Sequence, residues 1–336
     1  MNNKTVSLML SFSFFLILGG CQVDQNKDES QPTNQYQPQT REYFVAAEKV
    51  SWDFAPQKKD LMNNTPLPSP WGDKTVYAKY QFIEYTDASF SEKKQQDKHL
   101  GILGPIIRGV GGDTIKVTFK NRTENPYSMH PHGLRYDKIN EGVKGVPPGD
   151  TFVYTWEVGE ASLPTENEGS SKLWIYHSHV DSTQDIYDGL IGGMIITKPE
   201  FANADGTPKD IDREFINMYF IFDESVDGMN EEQTEGSLMH AINGYVFANI
   251  PGLEMKKGEK VRWHLFAMGT EIDLHTPHWH GETVLDSGIR KDVVPLLPSE
   301  MRTVDMIPEN VGMWMYHCHV TDHITAGMTA MYKITN

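Results

Sequence analysis

The chain repeats itself, and what it repeats is pairs of histidines. His130-Pro131-His132-Gly133 returns 148 residues later as His278-Trp279-His280-Gly281. Trp174-Ile175-Tyr176-His177-Ser178-His179-Val180 returns 140 residues later as Trp314-Met315-Tyr316-His317-Cys318-His319-Val320. Two matches in the same order at nearly one offset imply a duplicated unit, with domain 1 at 41–200 and domain 2 at 201–336. A length of 336 residues suits two domains. The repeated units read as strands. Gly112-Asp113-Thr114-Ile115-Lys116-Val117-Thr118-Phe119 alternates at period two, as a half-buried strand does, and Gly258-Glu259-Lys260-Val261-Arg262-Trp263-His264-Leu265 does the same. No long stretch carries a 3.6-residue period, so an all-β sandwich is expected.

Alternate residues of a strand face one side, so each H-x-H presents two imidazoles together. Of 13 histidines, ten fall in four clusters: His130/His132, His177/His179, His275/His278/His280 and His317/His319/His323. His99 and His264 stand apart and are expected to be ordinary structural residues. Sites dominated by imidazole suit copper, zinc, iron or nickel. Cys318 narrows the choice. It lies between His317 and His319, so its sulfur points to the face opposite those rings. His275, His323 and Met328 come with it, and two histidines, a thiolate and a weak methionine make a blue-copper electron-transfer site. With 2 cysteines in all, no disulfide framework is available. The 46 acidic side chains outnumber the 30 basic ones by 16, which argues against a nucleic-acid partner.

The four clusters resemble the copper motifs of the multicopper oxidases, nearest the ceruloplasmin branch, over 43–334. Segments 43–48 (Tyr-Phe-Val-Ala-Ala-Glu), 99–105 (His-Leu-Gly-Ile-Leu-Gly-Pro) and 239–244 (Met-His-Ala-Ile-Asn-Gly) resemble that branch outside the copper motifs. The resemblance implies two tandem cupredoxin-like Greek-key domains, an architecture like that of the small laccases. It implies four coppers per functional unit. Type 1 copper would be held by His275, Cys318, His323 and Met328. Type 2 would be held by His130 and His278, and the type 3 pair by His132, His177, His179, His280, His317 and His319. Offsetting the type 1 ligands back onto domain 1 lands on Tyr127, Ser178, Thr183 and Asp188. Domain 1 therefore carries no type 1 copper.

The implied reaction draws single electrons from a reductant and reduces O2 to water, with Glu141, Asp137 and Asp181 as candidate proton donors. In the ceruloplasmin-like ferroxidases a Glu, a His and an Asp beside the type 1 copper hold Fe(II); here they would be Glu235, His240 and Asp322. Laccase-like oxidation of phenols or oxidation of Cu(I) are the alternatives, and a periplasmic copper-binding or storage protein is the non-enzyme alternative. A copper nitrite reductase would need its type 1 cysteine in the first domain.

At the N-terminus, Lys4 precedes an apolar run at 8–18 that ends in Leu18-Gly19-Gly20-Cys21. This reads as a signal peptide at 1–20, its run too short to span a bilayer. Its end resembles the bacterial lipobox, which implies acylation at Cys21. Segment 21–40, nearly free of apolar residues, reads as a flexible tether. The expectation is an exported protein, lipid-anchored on the periplasmic or cell-surface side of a bacterial membrane and touching it through the lipid only. A final expectation concerns assembly. The oxygen-reducing cluster needs histidine faces from both domains, and a short connection near residue 200 brings domain 1 to domain 2 of a neighbour, as in a homotrimer.

Overall fold

The computed structural model describes residues 36–336; the signal segment and Cys21 lie outside the described residues. Two β-sandwiches of the same topology follow one another. In the first, one sheet has the order Val76–Tyr85, Thr40–Asp53, Thr114–Asn121, Thr151–Glu157. The facing sheet has the order Ile107–Val110, Ile191–Thr197, Ser171–His177, His130–Pro131. The second sandwich repeats both orders. Its first sheet runs Leu238–Ile242, Arg213–Asp223, Val261–Ala267, Met301–Met306, extended by the hairpin Val284–Asp286 and Ile289–Lys291. Its other sheet runs Glu254–Lys256, Thr329–Thr335, Gly312–Cys318, Pro277–Trp279.

Strand directions repeat as well. Thr40–Asp53 runs parallel to Thr114–Asn121, as Arg213–Asp223 does to Val261–Ala267. The registers put His130 opposite His177 in one sandwich and His278 opposite His317 in the other. Helices are short, and among the described residues none is long and apolar enough to cross a membrane.

Thr114–Asn121 alternates as its sequence implies, with Ile115, Val117 and Phe119 in the core of the first sandwich. Val261–Ala267 does not behave as the half-buried strand its alternation suggests, because it is buried on both faces. Val261, Trp263 and Leu265 face the core of their own sandwich. The other face packs on domain 1. Phe266 shares a core with Leu173, Ile175 and Phe220. Arg262 donates to the hydroxyls of Ser170 and Ser171 at 2.7 and 2.8 Å and pairs with Asp305 at 2.7 Å. His264 sits between Thr303 and Glu214, and Arg108 of domain 1 pairs with Glu214 at 2.8 Å. Burial favours the protonated form of Glu214, but His264 and Arg108 outweigh it and hold the carboxyl at about 2. Burial also keeps His264 neutral, so Arg108 carries the countercharge.

His99 is likewise structural: its carbonyl accepts from Asn243 at 2.7 Å and its ring packs on Phe215. The two sandwiches therefore share a polar and apolar seam, and the strand ends that carry the histidines are fixed relative to it.

Candidate copper centres

His275, Cys318 and His323 converge at one end of the second sandwich and are all buried. Nδ1 of His275 is 3.2 Å from Nδ1 of His323, and the sulfur of Cys318 is 3.9 and 3.5 Å from those two nitrogens. The centre of that triangle lies about 2.1 Å from each atom, the length of a first-row metal bond to imidazole or thiolate, about 2.0–2.3 Å. Met328 is fully buried in the same core, and its backbone carbonyl accepts from the Cys318 N–H at 3.1 Å. Burial pushes the Cys318 thiol up, against a hydrogen bond from the Thr276 N–H to the sulfur at 3.3 Å. A thiolate in this place needs a cation beside it, which a metal ion supplies. Burial and the neighbouring His275 push His323 down to about 4, so it stands neutral and ready to ligate.

The other eight clustered histidines form two matching quartets. In domain 1, Nδ1 of His130 lies 2.5 Å from the Glu141 carbonyl and Nδ1 of His177 lies 2.8 Å from the Ser178 carbonyl. In domain 2, His278 uses the Asp292 carbonyl at 2.9 Å and His317 the Cys318 carbonyl at 2.7 Å. These backbone contacts leave Nε2 free. Nε2 of His132 is 3.0 Å from Nε2 of His177, and Nε2 of His280 is 3.1 Å from Nε2 of His317. Two nitrogens at that spacing fit two bonds of about 2.1 Å to a single ion. His179 packs on His130 and His177, and His319 on His278 and His317. Burial lowers His132 and His317 to about 4 and His177 to about 3. Each quartet is brought together within its own domain. Among the described residues no hydrogen bond or ring contact joins one quartet to the other, and His280 and His319 are exposed.

The proton-donor candidates lie beside the domain 1 quartet, with their carboxylates engaged locally. Glu141 pairs with Lys138, which holds it below the usual carboxylate range, and it meets His130 through its backbone. Asp137 accepts from the Ile139 and Asn140 N–H groups, and Asp181 from those of Thr183 and Gln184. Of the iron-site residues, His240 is buried with its ring 5.2 Å from that of His323. Asp322 is exposed and opposes the downward pull of burial on His240. Glu235 is exposed on the helix Glu231–Gly236 beside Pro70; no hydrogen bond or ion pair joins it to His240 or Asp322 among the described residues.

Domain 1 repeats the framework around Cys318 with other side chains. The Ser128 N–H donates to the Ser178 hydroxyl at 3.0 Å, where Thr276 donates to the Cys318 sulfur. The Tyr127 hydroxyl donates to Asp188 at 3.1 Å and the Ser178 hydroxyl to Asp185 at 2.6 Å. These side chains are hydrogen-bonded locally and present neither imidazole nor thiolate. Asp273 is a residue the sequence reading did not single out: it is buried, and Oδ1 lies 3.3 Å from Nε2 of His275. Its signal is an acid two residues before the first type 1 ligand.

Two family models, each described as Multicopper oxidase, match residues 84–200 and 223–336. The protein named Ferroxidase HEPHL1 of Mus musculus is 36% identical over 91% of this chain and 30% of its own length. Hephaestin of Homo sapiens is 36% identical over 88% of this chain and 29% of its own length. Ceruloplasmin of Homo sapiens is 35% identical over 93% of this chain and 34% of its own length. The chain thus spans about a third of the length of the curated relatives it matches. Among solved structures, a multicopper oxidase superposes with a TM-score of 0.63 at 19% identity, covering 88% of this chain and 89% of its own. A blue copper oxidase from Nitrosomonas europaea superposes with a TM-score of 0.60 at 22% identity, covering 88% and 86%. These likenesses share the fold. The chain belongs to the multicopper oxidases, an oxidoreductase family that uses copper. Its donor sets, one of two imidazoles with a thiolate and two of imidazole alone, fit that metal.

Proposed function

We propose that the chain is a ferroxidase: it takes electrons from Fe(II) at the type 1 site and delivers them to O2 at a cluster shared between copies. Copper at these ligands supplies one-electron acceptance beside Cys318 and four-electron reduction of O2 among the eight quartet histidines. Cys318 stands between His317 and His319 in the chain, so its backbone would offer a covalent path from a copper held at its sulfur to the ions that those two histidines would hold.

The observation that carries the iron reading is the packing of the His240 ring on His323. Fe(II) bound at His240 with the carboxylates of Asp322 and Glu235 would sit one ring from the type 1 site. Carboxylate oxygens favour Fe(III), which lowers the iron potential and drives the electron inward. Exposed Ile272 and Leu274 precede His275 in the chain and give the laccase-like reading its own support, since they suit an apolar phenol. Oxygen uptake by one copper-loaded preparation with Fe(II), Cu(I) and a phenol decides between them. Fe(II) is expected to give the largest kcat/KM, and a phenol preferred over Fe(II) overturns the reading.

The separation of the quartets, with His280 and His319 open to solvent, supports a head-to-tail homotrimer. In it, domain 1 of one copy would cover domain 2 of the next, and a closed ring would satisfy every half-site. Three copies also match the length of one of the relatives. Export and anchoring through a lipid on Cys21 complete the proposal.

A further inference from the structure

We propose that Asp273 is a positioning residue for the type 1 site: it fixes the ring of His275 and sets how strongly the site prefers Cu(II). This rests on His275 and Cys318 being type 1 ligands, and it assigns a role to a residue outside that ligand set.

Asp273 is 1% exposed, in the loop between Val261–Ala267 and Pro277–Trp279. Oδ1 accepts from the Ile221 N–H at 2.9 Å and lies 3.3 Å from Nε2 of His275; Oδ2 accepts from the Thr270 N–H at 2.9 Å. Both Asp273 oxygens already accept backbone N–H groups, so the one facing His275 meets it as an acceptor; this puts the His275 proton on Nε2 and the lone pair on Nδ1, which faces Cys318 and His323. The quartet histidines His130, His177, His278 and His317 meet backbone carbonyls at their second nitrogen instead. Among the described contacts His275 is the one clustered histidine whose second nitrogen meets a carboxylate.

That difference has an electronic consequence. A carboxylate acceptor makes an imidazole a stronger donor than a carbonyl does, which favours the higher charge on the metal. A buried carboxylate is also costly unless its charge is compensated. Among the described residues no Lys or Arg pairs with Asp273, which leaves the metal one imidazole away as the countercharge. Ile221, which Asp273 holds, lies directly opposite His240 in the sheet. The same carboxylate therefore ties the type 1 histidine to the strand beside the proposed iron ligand.

The test uses the full copper-loaded chain and three variants, read by copper content, the blue absorption, electron paramagnetic resonance and a redox titration. Asp273→Asn keeps an oxygen for His275 and removes the charge. It should stay blue and favour Cu(II) over Cu(I) about tenfold less, a rise of about 59 mV for a one-electron couple. Asp273→Ala should weaken type 1 copper about 10–100-fold and leave the other coppers in place. Gly269→Ala retains the acid but puts a Cβ 2.1 Å from Oδ2, at a φ of +110°, and should displace the carboxylate and raise the potential too. It decides the question if Asp273→Asn fails to fold. An unchanged or lowered potential overturns the proposal, as does loss of cluster copper in step with type 1 copper. A parent protein that is not blue would instead overturn the ligand reading beneath it.

Discussion

The carbonyl oxygen of Cys318 lies 2.7 Å from Nδ1 of His317. One residue thus offers its sulfur to the candidate type 1 site and, through its backbone, orients the ring of a neighbouring clustered histidine. Domain 1 keeps the second half of that arrangement, with the Ser178 carbonyl 2.8 Å from Nδ1 of His177, and has lost the first.

Replacing Cys318 by serine should therefore remove the blue absorption and the oxidase turnover while the remaining coppers stay bound. Ser178 shows that the scaffold accepts a hydroxyl at this position, so the variant should fold. Absorption spectra with copper counting check this, and turnover at the parent rate contradicts the type 1 assignment.

Glu235→Ala and Asp322→Ala should each lower kcat/KM for Fe(II) far more than for a bulky organic reductant. Losing one ligand's share of binding, of order 2–3 kcal/mol, is about 30–150-fold. Equal losses on both reductants would assign these acids to the type 1 copper in place of iron.

Chains carrying His132→Ala and chains carrying His317→Ala should each be inactive and recover part of the activity when co-expressed. Some interfaces would then pair an intact domain 1 with an intact domain 2. Sedimentation of the active species checks the assembly, and a fully active, copper-loaded monomer rules out shared clusters.

The metal-free protein should lose stability as the pH falls from about 6.5 towards 4. His99 and His323 are held at about 4 and His177 at about 3, first by burial and, for the latter two, by neighbouring histidines as well, against an ordinary value of 6.5. Below 6.5 the unfolded chain takes up protons that the folded one refuses, so folding weakens until the folded values are reached. Denaturant midpoints across this range check the direction; a midpoint that rises on acidification contradicts it.

Phe266→Ala should cost about 3–5 kcal/mol of stability, the usual range for emptying a large core side chain. Its ring fills the seam with Leu173 and Ile175 of domain 1. Unfolding in denaturant measures the loss, and a change below 1 kcal/mol would mean that the seam closes without it.

Much of the site was legible in the residues alone. A strand's two-residue period turns His317 and Cys318 to opposite faces at the end of Gly312–Cys318, and His319, just past the strand, returns to the His317 side. The duplicated spacing likewise carries both histidine quartets and places Tyr127, Ser178, Thr183 and Asp188 where domain 2 has His275, Cys318, His323 and Met328. These are properties of residues a few positions apart, where chain geometry dictates direction. The rest depended on how the sheets stack. Val261–Ala267 alternates like a half-exposed strand, yet domain 1 covers its outer face. Asp273 gains its meaning from Ile221, 52 positions away. That His280 and His319 are exposed, while no hydrogen bond or ring contact among the described residues joins the two quartets, is likewise visible only in the folded chain. Contacts between distant segments follow from which faces exclude water together, and only the folded chain decides that.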